Sequence, residues 1–341
     1  MQEDEEKLYR CISTSDSLHV SRGDSCLMTF TKARVLESMG AVRIVDDPAD
    51  APRIGPPDDD YLFRSRFGKR SGTRVAWIQN YSKNGGAEIS NYNCIAVGRD
   101  LGFDVVGVVS NSLRGFGLCK DADVIVVNNL HSGNRDEIFD YLGRTTVPWI
   151  KYEHDLQETE FDLYKKSRLN VFISPLQKKF YEKKVGEGMS RSIALPLAII
   201  PDRWEYRSDS RQPNTVFVPT YEKCRGTITE FIKSNPDKKF VFAGSVTPPF
   251  KNVERLGPVD HARMQDAYHK YETVYHCPDK EWAGDRVLFE AVLSGCKIVT
   301  NGNAGHASWN FDWRDHETLR KKLSAAIHDF WHEVEKVANG N

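Results

Sequence analysis

Three stretches of the chain put reactive residue types at spacings that chemistry can use. In the first, Asn80-Tyr-Ser-Lys-Asn-Gly85-Gly86-Ala87-Glu88, two adjacent glycines stand just before a helical pattern. Glycine lets backbone N–H groups approach an anion closely, and a helix N-terminus attracts negative charge. A plain tight connection from strand to helix has the same appearance. In the second, Asp279-Lys-Glu281-Trp-Ala-Gly284-Asp285-Arg286-Val-Leu-Phe-Glu290-Ala291, a helix beginning near Gly284 offers its N–H groups and Arg286 to phosphate, and Glu290 could accept two hydrogen bonds from a ribose diol. A carboxylate inside the apolar run VLFEAV needs a partner if it is buried, so a salt-bridged helix residue is the alternative. In the third, Glu153-His154-Asp155 ends the strand-like run VPWIKY, where Asp155 or Glu153 could act as a general base or could cap the segment that follows. His131, after DVIVVNNL, is a further position of this kind.

The elements that position these stretches follow from the hydrophobic pattern. From residue 74, short apolar runs of strand length alternate with helical patterns, the signature of a parallel sheet covered by helices. Arg74–Gln79, Asp104–Val109, Asp123–Asn128, Val147–Tyr152, Asn170–Ser174 and Ser192–Leu195 predict the strands of one doubly wound unit, with a helix over Glu88–Leu101. After a stretch containing Pro, Arg and Ser at 194–214 the alternation restarts. Asn214–Pro219, Lys239–Ala243, Val253–Leu256, Thr273–His276 and Lys297–Thr300 predict strands, with helices near Thr227–Ser234, His261–Tyr271 and Asp285–Ser294. Leu319, Leu323, Ile327, Phe330, Val334 and Val337 recur at steps of three and four, an amphipathic helix with Phe330 and Trp331 to bury. The fold class is therefore α/β, with two tandem Rossmann-like doubly wound domains at 73–200 and 201–315. A short N-terminal extension, 1–72, precedes them, and a C-terminal helix over 316–341 packs on the body. Ligands of open α/β sheets bind outside the carboxyl ends of the strands, so the reactive stretches should meet in the cleft between the domains.

Composition limits the partners. Lys and Arg number 47 against 48 Asp and Glu, a net charge of −1 that gives no overall attraction to nucleic acid or membrane. An anionic partner would have to meet a local patch. Residues 165–191 supply one, with Lys178, Lys179, Lys183 and Lys184 at its centre, and Arg64, Arg66, Lys69, Arg70 and Arg74 form another. A solvated helix face is the alternative. Hydrophobic residues at 40% and charged residues at 28% exclude a collagenous or mostly disordered chain. Seven scattered cysteines without a Cys-x-x-Cys pair argue against a disulfide framework or zinc knuckle. The acidic opening MQEDEEK and the lack of an apolar run near the roughly 18 residues of a membrane span point to a reduced, cytosolic protein, with peripheral contact as its route to a membrane. Asp58-Asp59-Asp60 follows Gly-Pro-Pro and not a buried strand, which favours a solvated linker over a metal-binding Asp-x-Asp.

Taken in order, Gly85-Gly86-Ala87-Glu88, Arg225-Gly226, Val241-Phe-Ala-Gly244 and the Glu290-Ala291 helix followed by Ser294-Gly295 resemble the GT-B glycosyltransferases, particularly the retaining family 4. The resemblance runs from about residue 74 to the end. It implies that Gly85 and Gly86 approach the donor phosphates and the acceptor, that Arg225 binds the diphosphate, and that Glu290 holds the ribose. The family's Arg five residues before Arg225 is Thr220 here, a loss for which Arg286 is expected to compensate. The first glutamate of its Glu-x7-Glu motif falls on Trp282, with Glu281 one residue away as the candidate contact to the transferred sugar. His154 matches a histidine that contacts the donor sugar. The amino-terminal half binds the acceptor in this fold, which makes Lys178, Lys179, Lys183 and Lys184 acceptor-side residues for a lipid-linked sugar or nucleic acid. The expected activity is sugar transfer from a nucleotide-sugar donor, with retention and without metal or other cofactor. A sugar-nucleotide epimerase of the same fold, or a non-catalytic nucleotide-sugar-binding protein, are the alternatives.

Overall fold

In the computed structural model, strands are described at 8–13, 25–29 and 42–44, and the chain is described over 67–68, 72–80, 85–110, 116–128, 135–156, 161–209 and 211–340. Asp58-Asp59-Asp60, His131, the apolar spacing at 33–39, and Arg64, Arg66, Lys69 and Arg70 lie outside the described residues. The extension contributes β1 (Leu8–Ser13), β2 (Ser25–Thr29) and β3 (Val42–Ile44), an antiparallel sheet in the order β2-β1-β3.

Two parallel α/β units follow. The first sheet holds β4 (Arg74–Gln79), β5 (Asp104–Val109), β6 (Val124–Val127), β7 (Trp149–Glu153), β8 (Leu169–Phe172) and β9 (Ser192–Ala194), in the order β5-β4-β6-β7-β8-β9. Its helices are α1 (Gly86–Asp100), α2 (Arg135–Arg144), α3 (Leu163–Lys166) and α4 (Pro175–Val185). The second sheet holds β10 (Gln212–Val218), β11 (Lys239–Ala243), β12 (Val253–Gly257), β13 (Tyr271–His276) and β14 (Lys297–Thr300), in the order β12-β11-β10-β13-β14. Its helices are α5 (Arg225–Ser234), α6 (Met264–Lys270) and α7 (Arg286–Leu293), and α8 (His316–Ala338) ends the described chain. All pairings within these two sheets are parallel.

The central strands β4 and β6 and the second half of β10 are buried because both faces are covered, whereas the edge strand β12 (VERLG) is exposed at Glu254 and Arg255. Along β4, Val75 and Trp77 enter one core cluster while Ala76 and Ile78 enter another, the period of two that a strand dictates. In the second sheet Phe217, Val241 and Ala243 face the first of these clusters, and Val216, Val218, Phe240 and Phe242 face a separate one. One core therefore runs from the first sheet through Leu197, Ala198 and Ile199 into the second. Local signals set the helix ends. Ser174 caps α4 by accepting the N–H of Gln177, Pro175 opens the helix, and Gly186 ends it at φ 66°. Asp315 caps α8 through the N–H of Thr318.

Where a single helix was expected over His261–Tyr271, the chain makes a 3₁₀ turn at His261–Arg263, then α6, and Tyr271 already belongs to β13 through its pairing with Gln212. Sheet pairing overrides the helical pattern there.

The C-terminal helix α8 crosses back onto the first unit. The Trp331 ring packs 4.6 Å from Phe103 and 6.0 Å from Trp77, and its Nε1–H donates to the Cys94 carbonyl at 2.9 Å. Gly98 makes the room: a Cβ there would lie 2.1 Å from the Trp331 ring. Among the described residues no helix is long and apolar enough to cross a membrane.

Candidate active site

Each sheet has one place where strand order reverses, and there the connections leave in opposite directions and open a crevice. In the first sheet it lies between β4 and β6, so the turn carrying Gly85 and Gly86 opens onto it. In the second it lies between β10 and β13, whose carboxyl ends lead to Thr220–Arg225 and to Cys277–Arg286.

Arg286 joins the two. It begins α7, and its buried side chain lies against the glycine turn, where a Cβ on Gly86 would sit 3.7 Å from its Cδ. Its Nε donates to Glu290 Oε1 at 2.7 Å, and its Nη1 donates to Ser90 Oγ on α1 at 2.9 Å and to the Ala198 carbonyl at 3.2 Å. Its Nη2 is buried without a hydrogen-bond partner among the described residues. Glu290 is 1% exposed, and its Oε1 also meets His261 Nε2 at 2.9 Å, while Oε2 has a long contact, 3.4 Å, from the Tyr268 hydroxyl. Burial alone would raise the Glu290 carboxyl, but Arg286 and then His261 outweigh it and hold it below the usual range. Gly85, Gly86, Arg286 and Glu290 are thus brought together, with Glu290 in the salt-bridged setting that its apolar run required.

A second group lies at the second sheet's reversal point. Lys223 ends a 3₁₀ turn, Tyr221–Lys223, and its ammonium sits 2.5 Å from Asp285 Oδ1 and 4.2 Å from the centre of the Trp282 ring. Asp285 Oδ2 and His276 Nε2 lie 2.9 Å apart. His276 Nδ1 and Thr220 Oγ1 share a hydrogen bond of 2.7 Å. Burial opposes ionisation of Asp285, yet Lys223 and His276 prevail and its carboxyl lies well below the ordinary value. Arg225, the first residue of α5, is exposed and stacks over Tyr221 at 5.6 Å. The neighbouring N–H groups of Gly226 and Thr227 donate to the two Asp279 oxygens at 2.9 Å each, so an internal carboxylate occupies that helix end.

Three buried histidines complete the site. His154 follows β7 and packs 4.6 Å from Tyr152; burial pushes its pKa down to about 3, so it is neutral. His306 is 0% exposed and lies flat on Phe289 at 4.0 Å, with both ring nitrogens unpartnered among the described residues; burial lowers it to about 3 as well. Asp285, His276, Arg286 and His154 all act electrostatically on His306, with His276 of the second group the third member of the set.

The remaining positions are less central. Glu153 is the cap and not a free base: its Oε1 accepts from the N–H groups of His154 and Asp155 at 3.0 and 3.1 Å, and its Oε2 meets Tyr164 Oη at 2.6 Å and Lys151 Nζ at 2.7 Å. Asp155 is half-buried, and its carbonyl accepts from Gln177 and Tyr181. Glu281 is exposed, whereas Trp282 is held by backbone bonds to Asn303 and Gly305. Lys179, Lys183 and Lys184 lie exposed on α4; Lys178 pairs with Glu182 at 3.5 Å, and Lys184 sits 5.7 Å from the Phe180 ring. Sequence reasoning passed over Ser90, Lys223, Asp285, His276 and His306. The last two were open to the rule that directed attention to strand ends, since one closes β13 and the other follows β14.

No family model matches the chain, and no curated protein matches it. Solved structures do. Sucrose-phosphate synthase from Thermosynechococcus elongatus superposes with a TM-score of 0.56 at 12% identity, covering 76% of this chain and 91% of that one. Anabaena HepE in complex with UDP and glucose gives 0.51 at 12%, covering 78% and 92%. An α-glucosyltransferase in complex with UDP and a 13-mer DNA gives 0.50 at 12%, covering 79% and 94%. The fold is the GT-B arrangement of these proteins, two parallel α/β units with facing reversal points.

Proposed function

We propose that this protein is a glycosyltransferase of the retaining family 4 type that moves a sugar from a nucleotide-sugar donor to an acceptor, with retention and without a metal. The observation that carries the proposal is the junction at Arg286, where the glycine turn of the first sheet meets the start of α7 from the second. In the reaction the bond from the anomeric carbon to the diphosphate oxygen breaks, the acceptor hydroxyl oxygen takes its place and its proton passes to the departing diphosphate, on which negative charge grows as the bond breaks. Fixed cations and N–H groups in a site that excludes water lower that barrier most effectively. Arg286 Nη2 and Arg225 supply the cations, Gly85 and Gly86 allow close approach, and Glu290 Oε2 accepts from the ribose. His154, neutral and buried, is assigned to the donor sugar, with Asp155 and Glu281 as candidates to contact sugar or acceptor. The basic face of α4, with Lys178, Lys179, Lys183 and Lys184, is the acceptor side for an anionic acceptor.

The test is incubation of the protein with UDP-, GDP- and ADP-sugars, with and without EDTA, and chromatographic detection of the released nucleoside diphosphate. Anionic lipid vesicles and DNA serve as acceptor additions, and the anomer of any product is read by NMR. EDTA-insensitive release of one nucleoside diphosphate supports the proposal. A donor converted to another nucleotide sugar without acceptor identifies an epimerase instead, and binding without turnover identifies a non-catalytic protein.

A further inference from the structure

The sequence departs from the glycosyltransferase pattern at Thr220, where an arginine is expected, and at Trp282, where a glutamate is expected. These two positions are far apart in the chain, yet the structure puts both in one constellation with Lys223, His276 and Asp285. The ammonium of Lys223 rests against the Trp282 ring, and the hydroxyl of Thr220 is bound to His276, which faces the carboxylate that holds Lys223. The cation missing at 220 is present three residues later, and the carboxylate missing at 282 is present three residues later too.

We propose that Lys223 is a donor-binding cation of this protein, contacting the distal phosphate of the nucleotide. In this assignment Asp285, His276 and Trp282 are positioning residues that aim it. The inference rests on the nucleotide-sugar reading and deepens it. Three observations carry it. Lys223 leaves the carboxyl end of β10 at the sheet's reversal point, where a ligand is expected. Its side chain is 27% exposed and that of its counter-ion Asp285 14%, so the pair lies at the edge of the site and is not sealed in the core. An ammonium carries three N–H bonds; the Asp285 carboxylate and the Trp282 face take two directions and leave the third for a ligand oxygen. Asp285 and the aromatic face fix a flexible four-carbon stem before the ligand arrives, which lowers the ordering cost of binding. Neither Arg225, stacked outside on Tyr221, nor Arg286, bound to Glu290, Ser90 and Ala198, has this combination of support and exposure.

Isothermal titration of the full chain with UDP, GDP and ADP, and with the matching monophosphates, tests the assignment. The preferred base is then carried into the variants, and the ratio of diphosphate to monophosphate affinity is the readout. Lys223→Met should weaken diphosphate binding about 10- to 100-fold, the range for a lost hydrogen bond to a charged group, and change monophosphate binding much less. Lys223→Arg should restore most of the ratio. Asp285→Asn should lower the ratio part of the way, and adding it to Lys223→Met should lower it no further, because the two act through one ammonium. A purely structural lysine predicts a lower melting temperature with an unchanged ratio, and that result in Lys223→Met overturns the assignment while leaving the donor reading intact. If that variant does not fold, Lys223→Gln, which keeps a hydrogen bond to Asp285, gives the same ratio test. A parent protein that binds none of the three nucleoside diphosphates removes both readings.

Discussion

Replacing Glu290 by Gln keeps the shape of the side chain and removes one charge from a buried cluster, so it separates the structural and the ligand-binding roles of this carboxylate. In the parent, Glu290 Oε1 lies 2.7 Å from Arg286 Nε and 2.9 Å from His261 Nε2, at 1% exposure. Removing one partner of a buried pair costs about 3–5 kcal/mol, because the other charge stays buried without compensation. The glutamine oxygen still accepts from Arg286, which places the cost near the lower end, about 3 kcal/mol. At about 2–4 °C per kcal/mol for a chain of a few hundred residues, that is a fall of about 6–12 °C in melting temperature at pH 7. The sign of the pH dependence follows from the lowered carboxyl. Its contribution is present above the unfolded value near about 4.3 and is lost as pH falls through the lower folded value, so parent and variant should converge in acid. Calorimetry at pH 7 and in steps below pH 4 reads both effects. For ligand binding, the parent should favour a nucleoside diphosphate over its 2′,3′-dideoxy analogue by about 1–3 kcal/mol, and Glu290→Gln should lose most of that preference. A melting temperature unchanged at pH 7 would refute the buried ion-pair reasoning, and an unchanged ribose preference would refute the ribose role.

Three more outcomes are expected. Gly98→Ala drives a Cβ to 2.1 Å from the Trp331 ring and should cost at least about 1–3 kcal/mol by denaturant unfolding, whereas Gly143→Ala at the end of α2, with nothing within 4 Å, should be neutral or gain about 0.5–1 kcal/mol. His154→Ala should lower turnover and leave nucleoside diphosphate affinity nearly intact, while Arg225→Ala should weaken that affinity directly; equal loss of affinity in both would merge the two roles. His306, lowered to about 3 by burial, takes up a proton in the unfolded chain before it does so in the folded one, so stability falls as pH drops from about 6.5 toward 3, by up to about 1.4 kcal/mol per pH unit from this group. His306→Gln should flatten that slope in urea titrations, and an unchanged slope would show that His306 does not stay neutral.

The doubly wound order could be read from the sequence because strands covered on both faces must be continuous apolar runs, as in the VIVV of β6, and the helices between them must be amphipathic. The glycine turn and the start of α7 were legible for the same reason: strand ends locate them. Lys223 was not, because its partners Trp282 and Asp285 come from a segment brought alongside only when β10 and β13 become neighbours. His306 lies in a loop without periodicity, and its ring finds Phe289 only in the folded state. At 281–282 the spacing was ambiguous by one residue. In the fold Trp282 is pinned through backbone bonds to the 303–305 segment, while Glu281 beside it is exposed.

The return of α8 to the first unit bears on how the protein is made. Phe330 and Trp331 supply part of the core around Trp77, Tyr152 and Phe103, and the Cys94 carbonyl waits for the Trp331 indole. During synthesis the first sheet is complete once residue 194 has emerged, yet the part of its apolar side that Phe330 and Trp331 cover stays open until the residues of α8 arrive. Some 120 residues of second-unit chain are translated in between, on the order of ten seconds at about 5–20 residues per second. Over that interval the nascent first unit presents Trp77, Phe103 and the Gly98 notch to its surroundings, a surface that chaperones on the ribosome would be expected to shield.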